Sequence, residues 1–238
     1  SNFNGILGNE KCKGSFEISN FNNPNIKGNL NSNLPLKELL NFSSLDWGEI
    51  EGYLNSNLNF EFIYNKSLEH YNLKKLEGVF VLNNFSLVNS AENIFLRNVK
   101  GEFATSGEQL LGTKIKGELN DSKLVSEMKL VNFKKLITFE NTVPEITGQI
   151  HLDEFLVDPF LSSQSNESKP FYIQDSIDLT LLVKVKKLTY KAFNSKNVKG
   201  QLLISNGNLK FKHISLDANK GSYQFDLAIT RQNQTNYL

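Results

Sequence analysis

Cysteine is almost missing from this chain: Cys12 stands alone among 238 residues, so no internal disulfide framework can hold the fold. The Glu10-Lys11-Cys12 context lacks the small apolar residues that precede a lipidated bacterial cysteine, so Cys12 reads as structural or incidental. Methionine is as scarce. Met128 lies inside a strand-like pattern, none opens the chain and no leading stretch has signal-peptide character, so we expect a segment cut from a longer protein. No run approaches the roughly 20 apolar residues of a membrane-crossing helix. Nor does either charge dominate: 26 Lys and Arg against 25 Asp and Glu leave a net +1. Capture of nucleic acid needs a concentrated basic surface, so no nucleic-acid partner is expected.

What the chain does have is alternation. Hydrophobic content is 39%, low for a closed globular core, and the apolar residues, Phe prominent among them, are strung out every second position. From Ile177 to Thr230 the pattern is clearest. Leu179, Leu181, Val183 and Val185 share one parity, Lys184 and Lys186 the other. Leu202 and Ile204 precede Ser205-Asn206-Gly207-Asn208, whose Asn-Gly suits a tight hairpin turn. Leu209 and Phe211, then Ile214 and Leu216, then Tyr223, Phe225, Leu227 and Ile229 read as short return strands of five to eight residues.

Upstream, a triplet of apolar residue, polar residue and glycine recurs ahead of alternating runs, at Gly28, Gly52, Gly78, Gly101, Gly117, Gly148 and Gly200. We expect a bend or bulge at each strand start, since glycine has no Cβ to oppose one. Spacing is irregular, so the repeat reads as degenerate. Asn83-Asn84 reads as a turn or strand irregularity. Short helices are expected near 35–42, 132–140 and 153–161. The polar stretch Ser162–Lys169 reads as a loop or linker. It separates an upstream β-groove region (1–165) from a terminal meander (171–238), with the sheet continuing across. The expected fold is all-β: an elongated, curled antiparallel sheet, a meander with an open groove and a few short helices.

The run Leu181 to Ile204, with its Leu188-Thr189-Tyr190 strand end, Asn197-Val198-Lys199-Gly200 turn and Asn206-Gly207 hairpin, followed by Ile214-Ser215-Leu216-Asp217, resembles the C-terminal region of AsmA-like proteins. These are envelope proteins of two-membrane bacteria, related to TamB and YhdP. The resemblance is strongest over Ile177–Thr230 and rests on strands and turns, with no catalytic residue. It implies a periplasmic location, a parent anchored in the inner membrane, and a β-groove that conducts phospholipid between membranes.

Reaction chemistry finds little support. His70, His151 and His213 are scattered; His151 with Asp153 and Glu154 lacks a third ligand, so no metal and no cofactor is expected. Asp175 and Asp178 form a weak carboxylate pair, and Trp47 beside Asp46 and Gly48 reads as a packing anchor. There is no nucleophile elbow, phosphate loop or dinucleotide fingerprint. The lysines Lys184, Lys186, Lys187, Lys191, Lys196 and Lys199 read as a solvated outer face. The expected function is therefore non-enzymatic: phospholipid or another acyl-chain lipid held along Leu181, Val183, Leu202, Ile204, Leu209, Phe211, Ile214, Leu216, Phe225 and Leu227. The alternative is a structural or interaction β-sandwich of the cell envelope with no lipid, in which the same residues form a closed core.

Overall fold

Alternating apolar and polar residues leave a strand with one wet and one dry side, and this chain repeats the pattern until a single sheet contains almost everything. The computed structural model describes residues 1–7, 10–40, 48–66, 70–90, 93–133, 143–158, 177–232 and 235–237. The strands are β1 (Asn2–Leu7), β2 (Glu10–Ser19), β3 (Asn25–Pro35), β4 (Glu49–Asn65), β5 (His70–Asn89), β6 (Ile94–Ser106) and β7 (Gln109–Leu119). They continue as β8 (Ser122–Val131), β9 (Glu145–Leu156), β10 (Asp178–Tyr190), β11 (Phe193–Ser205), β12 (Asn208–Ala218), β13 (Gly221–Gln232) and β14 (Thr235–Tyr237). Spatial order follows chain order from β1 to β14, and the two outermost strands do not pair with each other.

Each pairing is antiparallel except one: β9 and β10 run parallel, Ile146 opposite Leu179 and Leu152 opposite Val185. A parallel pair needs a crossover of a dozen or more residues, and residues 157–177 separate these two strands. The antiparallel meander thus has one parallel seam, and the sheet is unbroken across it. One short helix, α1 (Leu36–Leu40), lies within the expected 35–42. The helical or irregular reading of 153–161 is corrected over its first four residues. Asp153–Leu156 belong to β9, where Phe155 and Leu156 pair with Leu188 and Thr189. The helix at 132–140 beyond Phe133, the polar stretch at 162–169, Trp47 and Asp175 fall outside the described residues.

The strands are longer than the sequence suggested, and bulges are the reason. At five register slips one non-glycine residue takes a left-handed conformation: Asn84 (φ 50°), Asn98 (52°), Lys114 (53°), Asn197 (54°) and His213 (53°). Asparagine tolerates that region better than most side chains. Each such residue shifts the alternation by one without ending the strand. In β12, Leu209 and Phe211 therefore share a side with Ile214 and Leu216, and what read as two strands is one. Likewise Asn197-Val198-Lys199-Gly200, expected as a turn, is strand.

Glycine plays a different part from the one expected. The seven glycines lie inside strands, not at their starts. Gly52 sits at a slip of its own strand, whereas Gly101 and Gly200 lie opposite slips of their partners. Across β6 and β7 the arrangement is reciprocal. A Cβ on Gly117 would meet Val99 Cγ2 at 2.7 Å, and one on Gly101 would meet Ile115 Cγ1 at 3.0 Å. Each bulge thus turns an apolar side chain onto the bare backbone of its neighbour.

These devices recur at a fixed interval. Eight of the left-handed residues pair off 99 positions apart: 98 with 197, 114 with 213, 120 with 219 and 121 with 220. Cross-strand partners follow the same interval, Phe103 with Gly112 and Leu202 with Phe211. The segment β6–β8 is therefore built again as β11–β13, a period that the irregular glycine spacing had hidden.

Side chains crowd together on the inner side of a curled sheet, and the buried residues here lie on the apolar side, which is therefore taken as the concave one. Val99, Ile115, Leu124, Leu152 and Val185 are buried. Those that cover the Leu124–Leu152–Val185 cluster, such as Leu96, Phe155 and Val198, come from strands of the same sheet. A second cluster, Leu58, Leu73 and Leu76, packs with Phe60, Phe62, Phe80 and Phe133, Phe133 meeting Phe80 edge to face at 6.4 Å. The accessible surface is 15796 Å². A compact chain of 27.0 kDa would show about 10,800 Å², so the sheet is open, without a second layer among the described residues.

The exposed Asn98 isolates the conformational cost of a bulge. Asn98→Gly should leave the urea midpoint essentially unchanged, whereas Asn98→Val should lower stability by about 1–2 kcal/mol, because a β-branched side chain is forced into the left-handed region.

Candidate functional site

The register places all ten expected lining residues on the concave side. Leu179, Ile204, Leu209 and Ile229 form one cross-strand row, and Leu181, Leu202, Phe211 and Leu227 the next. Val183 lies opposite Gly200, Ile214 opposite Phe225 and Leu216 opposite Tyr223. Their depths differ. Leu209 and Leu216 are 8% and 7% exposed, covered by their neighbours, and form the floor. Leu181, Val183, Leu202, Ile204, Phe211 and Ile214 are half-buried. Phe225 and Leu227 are 46% and 37% exposed, as is Tyr223 at 47%. The face therefore opens toward β13.

Tyr223 and Ile229 complete this surface although the expected set omitted them, and the rows run on upstream. Through Gly148, Met128, Gly112, Phe103 and Phe80 the second row continues to β5, beyond which it turns polar at Ser56, Ser32 and Cys12. Ser32 Oγ and Ser56 Oγ, both buried, share a hydrogen bond of 2.5 Å. Neutral hydroxyls satisfied by each other keep that end of the face dry without making it apolar. The same alternation marks the upstream rows in the sequence; only the bulges, which switch parity in mid-strand, conceal them.

On the convex side, polar groups pair locally. Lys187 meets Glu154 at 2.5 Å, Lys186 meets Asp153 at 2.6 Å and Lys114 meets Glu102 at 2.9 Å. Asp217 accepts hydrogen bonds from Asn197 Nδ2 (2.8 Å) and Ser222 Oγ (2.7 Å). Those bonds, helped by the charge of Lys199 and opposed by desolvation, hold its carboxyl below the usual carboxylate range. Asp153 is lowered in the same direction, chiefly by its hydrogen bond from Lys186.

Among the described residues no three His, Cys, Asp or Glu side chains come together as a metal site. His151 and Asp153 lie on the convex face, His151 with its Nε2 buried and unpartnered, and Asp153 committed to Lys186. The backbone N–H of His213 donates to Asp226 Oδ1 at 2.6 Å, tying down its bulge. The shallow depressions include one of about 580 Å³ between Asn31, Asn33, Asn55, Asn57 and Val79. No helix among the described residues is long and apolar enough to cross a membrane. Comparison with known proteins returned no matching family model, no matching curated protein and no matching solved structure.

The lowered carboxyl of Asp217 stabilises the folded chain above the usual carboxylate range, and that contribution is lost as pH falls through the folded-state value. Asp217→Asn should therefore unfold at lower urea than the parent at neutral pH. The two midpoints should converge as pH falls through that folded-state value, measured by far-UV circular dichroism.

Proposed function

We propose that this chain holds the acyl chains of phospholipid, or of a similar lipid, along the concave face of its sheet and performs no reaction on them. The observation that carries this reading is the exposure of Tyr223, Phe225 and Leu227 on the one apolar face, where no second sheet is packed among the described residues. Exposed apolar surface of this kind marks a place that something else covers. The strands of this face, 11 to 13 residues from β10 to β13, rise about 3.4 Å per residue and can lie along an extended hydrocarbon chain. Each methylene buried there contributes about 0.8 kcal/mol, so retention needs no specific polar contact.

The turn and strand pattern that resembles the AsmA-like group supports the same reading. We infer on that basis a periplasmic segment of a protein anchored in the inner membrane of a two-membrane bacterium, serving phospholipid transport or outer-membrane maintenance. The Asn-Val-Lys-Gly motif of that pattern holds the bulge of β11, and a bulge bends the strand that carries it.

Phe211 and Phe225 test it. The full chain should co-purify with phospholipid detectable by mass spectrometry of an organic extract, and Phe211→Asp/Phe225→Asp should lose most of it while keeping its β circular dichroism. Equal lipid in parent and variant would sink the proposal, as would a parent free of lipid that fails to take up a fluorescent fatty acid.

A further inference from the structure

The convex face carries an arrangement that the lipid proposal leaves unused. One cross-strand row reads Lys100, Lys116, Val125, His151, Lys184, Lys199 from β6 to β11, each residue registered directly opposite the next. Lys100 thus faces Lys116, and Lys184 faces Lys199. Like charges directly opposite on neighbouring strands are destabilising, and none of these four lysines makes an ion pair among the described residues. All four are exposed, and His151, in mid-row, has a buried Nε2 without a hydrogen-bond partner. Three of the four come from the bulge motif: Lys100, Lys116 and Lys199 each stand two positions after a left-handed residue. The device that turns Val99, Ile115 and Val198 inward therefore turns a lysine outward.

We propose that this row binds a linear polyanion, specifically an anionic polysaccharide with acidic groups spaced along its chain. At about 4.8 Å per strand, the five steps from β6 to β11 span about 24 Å, the reach of several sugars. The row is one residue wide. Carboxylates flank it on both sides, Glu102 and Glu127 on one, Glu118, Asp153 and Asp217 on the other. Lys199 already feels Asp217, and Asp153 is held by Lys186. A planar anionic bilayer would meet those carboxylates along with the lysines; a single polyanionic chain following the row meets the four lysines, Val125 and His151 and runs between the carboxylates. A sheet also twists by about 20–25° per strand, which a flexible chain can follow and a flat surface cannot. Single-stranded nucleic acid would call for aromatic stacking platforms, and the row contains no Phe, Tyr or Trp.

The test is binding of fluorescently labelled alginate oligomers to the full chain, by anisotropy at low salt. The parent should bind, weakening steeply as salt rises through about 0.15 M, where screening acts within about 8 Å. Replacing Lys100, Lys116, Lys184 and Lys199 together with Gln should weaken binding at least tenfold. The charge-matched replacement of Lys13, Lys129, Lys210 and Lys220 with Gln should leave it within twofold. Because the first variant relieves facing charges, its urea midpoint should equal or exceed the parent's, separating lost binding from lost fold. Absence of alginate binding by the parent, equal loss in both variants, or unchanged binding by the row variant would overturn the proposal. So would tighter binding to anionic phosphatidylglycerol vesicles or to single-stranded DNA than to alginate.

Discussion

A sheet only one layer thick must bend without letting its apolar side chains slip round to the wet side, and the rest of this structure depends on how that is managed. A strand that bends at an extra residue reverses its alternation, and the reversal would be ruinous if the sequence did not reverse with it. Here it does. Leu110 and Gly112 occupy even positions of β7, Ile115, Gly117 and Leu119 odd ones, and Lys114 in the left-handed region makes the change. The neighbouring strand supplies the room, because the side chain brought inward by a bulge settles over a glycine. Curvature, burial and parity are thus one constraint met by a few residues in a row.

That coupling explains what could be read in advance. The β class and the single apolar side follow from alternation, which survives inspection by eye wherever it is unbroken, as from Leu179 to Val185; alternation suits an open sheet and a closed sandwich equally. All ten residues named for the lining share the concave side for the same reason. Strand lengths could not be read, because a parity change in mid-strand looks like a turn: Asn84, Asn98 and His213 each resemble a boundary. The parallel seam was hidden too, since pairing direction across residues 157–177 leaves no mark on alternation. Depth within the lining was equally illegible. Leu216 and Leu227 have the same pattern in sequence, and only their neighbours decide that one is covered and the other open.

The two sides of the sheet are written by the same short motif yet answer to different physics. Inside, Val99, Ile115 and Val198 contribute area removed from water, and sequence detail matters little as long as shape and parity are kept. Outside, Lys100, Lys116 and Lys199 contribute long-range charge whose effect depends on the acids beside them. Because a strand's two faces point apart, occupancy of one does not obstruct the other. A lipid in the trough and a charged chain along the back would be held by separate sets of side chains on common strands.

Each strand of this sheet is paired only to the strands before and after it in the chain, and the β6–β8 unit reappears as β11–β13. Stability in such an array is close to a sum of nearest-neighbour terms. The sheet can then fray from either rim while its middle stays intact, and inserting or deleting a hairpin lengthens or shortens the trough without disturbing distant strands. The number of strands in a ladder built this way can therefore change one hairpin at a time, and with it the length of the sheet.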